Sequence, residues 1–466
     1  MKQIRHMSAM ILSAGVLLSA MPILPVYAEE AAAPAEETVE MTATVKLNDT
    51  AATAEGKNVT IDGTKITISA SGAYEFSGKL SDGQIIVNVA DTTADAGTVK
   101  LYFNGVNITG KTAAAVYVVN AKNTSINLMD GTENFLYDGE TYTEDTNAVI
   151  YSKDDITIKS GGTEGTGKLR IEAAYQHGLH SNDDVKITGG DIKVKTDAAD
   201  GIRGKKSVEI KGGKLDVNAN GDGVKSTKGE VLISGGDTEI KAGNDAVQGE
   251  TKVDISGGDL KANGDRGITN VAGGVNITGG TVFATATKDV LSDGQTEADL
   301  KDNSIKVAET STQPVLLINT KEQLAKEQRI ELKADGADTA VFSKNPNKKF
   351  DYILISSPEL KAGSKYDLYI GGYKTNPSEI TVGAAITKVA DVVSTVPAVT
   401  TDGDPLDVNC DDVVDVSDAV LLARFVAEDP DAVISAKGKE RADTNGDGNV
   451  NGDDVIVILR RIAHLD

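Results

Sequence analysis

From His177 onward, apolar residues recur at every second position in short runs, and nowhere in this stretch do they take up helical spacing. "SVEIKGG" followed by "KLDVNA" shows the form: alternation, a Gly-Gly interruption, then alternation again. Such runs predict short strands joined by tight turns. The runs themselves repeat. Lines open at His177, Asp200, Asp222, Asp245, Arg266 and Asp289, at spacings of 23, 22, 23, 21 and 23 residues. Five of them carry a Gly-Gly at the equivalent place, Gly189-Gly190, Gly212-Gly213, Gly235-Gly236, Gly257-Gly258 and Gly279-Gly280. Looser lines precede them at Ala114 and Asn147. A period of this length marks a solenoid, and about three short strands per period make one coil of a parallel β-helix.

Stacked coils align like positions into ladders, one inter-strand spacing apart. Ile202, Val224, Val247, Ile268 and Leu291 then form one inward ladder, and Val208, Val231, Val253 and Val275 a second. A solenoid needs caps, because bare coil ends expose strand edges and core. "GAYEFSGKLSDGQIIVNVADTTADAGTVKLYFNGVNITG" ahead of the repeat and "PVLLINTKEQLAKEQRIELKADGADTAVFSKNPNKKFDYILISSPELKAGSKYDLYIGG" behind it read as those caps.

The pattern changes near the C-terminus. "DVNCDDVVDVSD" (407–418) and "DTNGDGNVNGDD" (443–454) stand 36 residues apart, and each runs into an apolar helical stretch, "AVLLARFVA" or "VIVILRRIA". The two copies align Asp407 with Asp443, Asn409 with Asn445, Asp411 with Asp447 and Asp418 with Asp454. Oxygen ligands at positions 1, 3, 5 and 12, with the carbonyl of Val413 or Asn449 at 7 and Asp415 or Asn451 at 9 through water, suit calcium. The periodic apolar residues of the helices are expected to pack the two halves together.

An EF-hand sensor would need an entering helix and prefers Glu at position 12; this chain offers "TDGDPL" and Asp. Duplicated loop-plus-helix units of this form resemble the type I dockerin family. That resemblance implies binding to the cohesin module of a scaffoldin and incorporation into a cellulosome. Loop positions 10 and 11 often carry cohesin specificity in that family; here they are Val416 and Ser417, then Gly452 and Asp453. Arg424 and Arg460, at equivalent places on the two helices, are further candidates. Asp412 departs from the pattern, which prefers Gly at the sharp turn.

Composition sets the address. Lys2 and Arg5 precede an apolar run ending in "VYA" at Ala28, the form of a cleaved export signal. Cys410 is the one cysteine of the 466 residues, so no internal disulfide staples an exported chain. A net charge of −23 argues against nucleic acid and anionic membranes. The expected organisation is a signal at 1–28, a β-helix domain at 29–386, a linker at 387–403 and a calcium-binding, all-α dockerin at 404–466.

The stretch from Val45 to Ile386 resembles a family of exported bacterial carbohydrate-binding β-helix proteins, through "GAYEFSGKLSDGQIIVNV", the Gly-Gly coils and "YILISSPELKAGSKYDLYIGG". The resemblance implies a right-handed parallel β-helix of pectate-lyase-like fold, bound calcium, and binding to acidic pectin or cellulose of plant cell walls.

Asp200, Asp222, Asp245 and Asp289 form a ladder along the coil starts, with Asp197, Asn220, Asn244 and Asp265 beside them. Stacked carboxylates repel unless neutralised, so calcium is one reading and plain turn chemistry the other. Arg203, Lys225 and Gln248 point outward on the adjoining strand and suit uronate carboxylates. Residues 177–288 carry 16 acidic against 15 basic residues, while residues 402–466 carry 16 against 6, so an anionic polymer meets least repulsion at the solenoid. Trp is absent, which excludes a flat indole platform, but Tyr117, Tyr151 and Tyr175 remain stacking candidates. His177 and His180 read as turn residues. The favoured function is non-catalytic polysaccharide binding. The alternative is a calcium-dependent lyase with Arg203 or Lys225 as base.

Overall fold

The computed structural model describes residues 39–270, 274–287, 310–395, 404–411, 413–429 and 432–463. The export segment, Asp289, Leu291, Asp412 and the linker residues 396–403 lie outside the described residues.

The alternating pattern becomes three strands in each of the coils opening at His177 and Asp200. In the first they are His177–Ser181, Asp184–Ile187 and Asp191–Thr196; in the second they are Ile202–Gly204, Ser207–Ile210 and Lys214–Ala219. In the next three coils the second and third strands run on as one, Glu230–Ala242, Lys252–Asn263 and Val275–Ala286, irregular in register near the Gly-Gly. Each strand pairs in parallel with its counterpart one coil on: Leu179 with Ile202, Val185 with Val208, Ile192 with Leu215. First strands stack into a ten-stranded sheet, parallel except for its terminal hairpin of Val59–Asp62 and Lys65–Ile68. Second and third strands run in an eighteen-stranded sheet.

Both expected core ladders form. Ile202, Val224, Val247 and Ile268 pair in sequence, as do Val208, Val231, Val253 and Val275, and all are buried. The Gly-Gly pairs make the corner between second and third strands. Their second glycines, Gly190 to Gly280, all have φ between +82° and +91°. A Cβ added at Gly213 would lie 2.6 Å from the Gly190 carbonyl oxygen one coil back, so the stacking itself demands glycine.

The N-terminal cap differs from expectation. Gly72–Leu80 pairs in parallel with Thr98–Gly110, which pairs in parallel with Asn123–Leu128 and Glu133–Asp138. This stretch is therefore stacked coil. A long turn between Asn88 and Thr98 breaks the 22-residue rhythm and hid it. The end is instead covered by Ala43–Asp49 with its antiparallel partner Ala52–Gly56, beside the terminal hairpin. At the other end Phe350–Ser356 pairs antiparallel with the last described coil, Val282 opposite Ser356. A separate four-stranded antiparallel sheet and a second apolar core sit on that cap. The expected linker start also moves, because Ile386–Val392 is a strand paired in parallel with Val315–Leu324.

The C-terminal module has three helices: α1 (Val416–Val426), α2 (Ala436–Arg441) and α3 (Gly452–Ile462). Its core is Val408, Ala419, Leu422, Ile434, Ala442 and Ile458. Leu422 and Ile458, equivalent in the two copies, are fully buried. Packing of the helical apolar residues is only partial, however. Val420 and Ile456, also equivalent, are 51% and 52% exposed, because a single helical stripe reaches the core.

Candidate functional site

Aligning coils by their first strand gives two neighbouring rows on the ten-stranded sheet. The opening residues, His177, Asp200, Asp222, Asp245 and Arg266, make a buried corner row. It is a continuous hydrogen-bonded spine. The Asp200 N–H donates to His177 Nδ1 at 3.1 Å, the Asp222 N–H to Asp200 Oδ1 at 3.0 Å, and the Asp245 N–H to Asp222 Oδ1 at 3.0 Å. Arg266 closes the run, donating to both carboxylate oxygens of Asp245.

Each carboxylate also has a cation. Arg203 reaches Asp200 at 3.0 Å and Lys225 reaches Asp222, both three residues along their own coil. Asp245 has Gln248 at that place and is paired with Arg266 from the next coil instead. Three buried carboxylates are thus matched by three cations, and the repulsion that suggested calcium is answered within the protein. Burial, with Asp222 beside it, still pushes the Asp245 carboxyl up to about 6. Asp197 stands apart from the spine, exposed and 3.5 Å from Lys195. Asn220 donates to the Asp197 carbonyl, Asn244 accepts from the Asp265 N–H through its own carbonyl, and Lys348 meets Asp265.

The second row, three residues further along each coil, faces outward and is half-buried. It runs Tyr117, Tyr151, His180, Arg203, Lys225 and Gln248, each paired with the next across the parallel sheet. The three expected sugar contacts therefore do share one face, and two of the candidate tyrosines continue it. Tyr117 and Tyr151 have ring centroids 5.7 Å apart, and Tyr151 and His180 are 5.3 Å apart. Asn182 donates to the Tyr151 hydroxyl at 2.9 Å, and His180 Nδ1 lies 2.6 Å from Asn147 Oδ1. Burial, then His177 and Arg203, hold the His180 imidazole down at about 3, so it is neutral near pH 7. Tyr175 is off this row, stacked on Tyr142 at 4.4 Å.

Sequence reasoning missed that His177 and Arg266 belong to the aspartate row and His180 to the arginine row. The signal was present: "HGLHS", "DGIRG", "DGVKS", "DAVQG" and "RGITN" align residue by residue. It also missed Asp155, Asp183 and Asp184, the one group of three acidic side chains among the described residues whose ligand atoms lie within 4.8 Å of one another. Lys206 pairs with Asp183, and Ser207 donates to Asp184 at 2.8 Å.

In the helical module, loop positions 9 and 12 double as helix caps. Asp415 accepts from the Ser417 N–H while Asp418 accepts from the Asp415 N–H; Asn451 and Asp454 repeat this at α3. Loop turns gather the remaining donors inward. Asp411 N–H bonds Asp407 and Asn409 side chains, as Asp447 N–H bonds Asp443 and Asn445. Val413 and Asn449 donate their N–H groups to Asp411 and Asp447, leaving their carbonyls as the position-7 donors. Burial, then the Asp407 and Asp411 carboxylates, push Asp418 up, a crowding that a divalent cation relieves. An all-oxygen donor set around crowded carboxylates fits calcium. The loops are not equivalent: Arg441 is buried and donates to Asp407 Oδ2 at 2.9 Å, whereas Asp443 is partly exposed.

The candidate partner-facing residues lie outside this ligand cluster. Val416, Ser417, Arg424, Gly452, Asp453 and Arg460 are all on the exposed sides of α1 and α3. Ser417 also accepts from Asn409 Nδ2 and Arg424 pairs with Asp429, both at 2.8 Å.

Comparison with known proteins agrees with this two-part layout. Residues 62–270 match a family model described as carbohydrate-binding domain-containing protein, and residues 405–463 match the type I dockerin domain. A carbohydrate-binding domain-containing protein of Acetivibrio thermocellus is 41% identical over 137 residues, which are 28% of this chain and 45% of that relative. The aligned region thus spans under half the length of that relative. A solved structure of the polysaccharide lyase-like protein from C. thermocellum, a gadolinium derivative, shares 33% identity, with 51% of this chain and 94% of that chain covered at a TM-score of 0.44. The chain is a mainly β protein that joins a domain of the carbohydrate-binding type to a C-terminal type I dockerin domain.

Proposed function

We propose that this is a secreted, non-catalytic polysaccharide-binding protein, carried into a cellulosome by its dockerin. Its solenoid is a right-handed parallel β-helix of pectate-lyase-like type. The observation that carries the reading is the outward run of Arg203, Lys225 and Gln248 on three successive coils. Guanidinium, ammonium and amide groups retain donors beyond those used on Asp200 and Asp222. They suit the hydroxyls and carboxylates of plant cell-wall polymers, with pectin-type polyuronates first. The lyase alternative needs a base free to approach a ring proton, and both Arg203 and Lys225 are tied to buried carboxylates.

The dockerin's oxygen ligands hold calcium, and the ion would fix the loops that cap α1 and α3, so cohesin binding depends on it. Gel retardation on polygalacturonate, alongside an assay for unsaturated uronate products, tests the proposal. Retardation without product is expected; calcium-dependent product would make the protein a lyase.

A further inference from the structure

The row that carries Arg203, Lys225 and Gln248 does not stop at Arg203. Its upstream half is His180, Tyr151 and Tyr117 in unbroken parallel register. The row offers no excess positive charge, because Arg203 and Lys225 are balanced by Asp200 and Asp222 and His180 is neutral near pH 7. A purely electrostatic receptor for a polyanion would leave its cations unmatched. This row instead puts aromatic rings and hydrogen-bond donors end to end, with the Tyr117 and Tyr151 planes inclined at 51° and the Tyr151 and His180 planes at 77°.

The geometry points to a single binding strip along the solenoid axis, running from Tyr117 to Gln248, that takes a pyranose chain lengthwise. The chain's apolar ring faces lie over Tyr117, Tyr151 and His180, and its hydroxyls or carboxylates meet Arg203, Lys225 and Gln248. This rests on the reading of the solenoid as a polysaccharide-binding domain and adds where the polymer lies and which half holds it without charge. Five coil steps of about 4.8 Å make the strip roughly 24 Å long, so it accommodates several linked sugars rather than one.

The aromatic rings are fixed before any ligand arrives. Tyr117 and Tyr151 pack on each other, Lys153 sits 5.7 Å from the Tyr117 ring centroid, and Asn182 pins the Tyr151 hydroxyl. Preset rings lose little side-chain entropy on binding. Stacking on them is insensitive to salt, whereas the Arg203 and Lys225 share weakens as salt screens exposed charge.

The test is affinity electrophoresis of the full chain on polygalacturonate, its methyl-esterified form and a neutral β-glucan, at low and high salt. Tyr117→Ala and Tyr151→Leu should each weaken retention on all three polymers by roughly 2- to 12-fold, and the loss should persist at high salt. Lys225→Gln should weaken polygalacturonate most, and only at low salt. Tyr373→Ala, on the exposed surface of the C-terminal cap, should change nothing. Matched melting curves and circular dichroism spectra identify any variant that loses fold; Tyr117→Phe then serves as the milder replacement, expected to keep binding. If folded Tyr117 and Tyr151 variants bind like the parent, the strip is wrong though the domain still binds polysaccharide. If the parent is retained by none of the polymers, the functional reading itself falls.

Discussion

Replacing Asp222 separates a hydrogen-bonded spine from a metal cage. Asp222 is 1% exposed, and its Oδ1 accepts the N–H of Asp245 one coil on. Asp222→Ala leaves that buried N–H without its acceptor, a loss of about 1–3 kcal/mol. Asp222→Asn keeps a carbonyl oxygen at the same place. It removes the charge facing Lys225, whose side chain is 24% exposed and can turn to water, and it relieves the like-charge pressure on Asp245. Its expected cost is therefore below that of Ala, since the buried N–H keeps its acceptor. At about 2–4 °C per kcal/mol for a domain of this order of size, Ala should lower the melting temperature by roughly 2–12 °C and Asn by less. The assay is thermal melting of the full chain, followed by the β-sheet circular dichroism signal, in calcium and in chelator. Equal losses for Ala and Asn, together with a chelator effect on this transition that Asp222→Asn abolishes, would refute the spine and restore calcium to the ladder.

Two further outcomes follow from the geometry. Asp443→Ala should lower calcium affinity and cohesin binding but cost the calcium-free module little, since the Asp447 and Gly448 N–H groups that it accepts from are exposed to water. Asp407→Ala should also destabilise the module in chelator, since Arg441 loses its buried carboxylate; calorimetric titration and melts of both variants check this. The His180 imidazole is held at about 3 against about 6.5 in an unfolded chain, so its contribution is present above pH 6.5 and lost as pH falls toward 3. Urea unfolding of His180→Gln and the parent should therefore show the parent losing more stability from pH 7 to pH 5. Equal losses would mean that burial, with His177, Arg203 and Lys205 nearby, does not hold His180 neutral against the opposing pull of Asp200.

Register within the repeat was legible because parallel stacking pairs residue i with its counterpart one period on, so like letters had to meet. That placed Ile202 over Val224 and Arg203 beside Lys225. The paired loops 407–418 and 443–454 were legible because the two copies repeat oxygen-bearing side chains at the same places. The N-terminal boundary was not, since the long turn after Asn88 stretches a coil past the period, and pairing rather than spacing reveals it. Charge balance was also hidden. Whether Asp222 faces calcium or Lys225 depends on side chains at positions 1 and 4 of one coil meeting across a corner, which a list of aspartates does not show. Exposure of Val420 and Ile456 depended on which stripe of a short helix found the core.

On the function proposed above, the molecule divides into a calcium-dependent tether and a polysaccharide strip that needs no metal. Co-sedimentation of the full chain and a cohesin module with insoluble cell-wall polysaccharide measures both at once. In calcium the protein should bring cohesin down with the polymer, and chelator should release the cohesin while the protein stays bound. Release of the protein itself by chelator, or its failure to sediment with the polymer in calcium, would contradict the account.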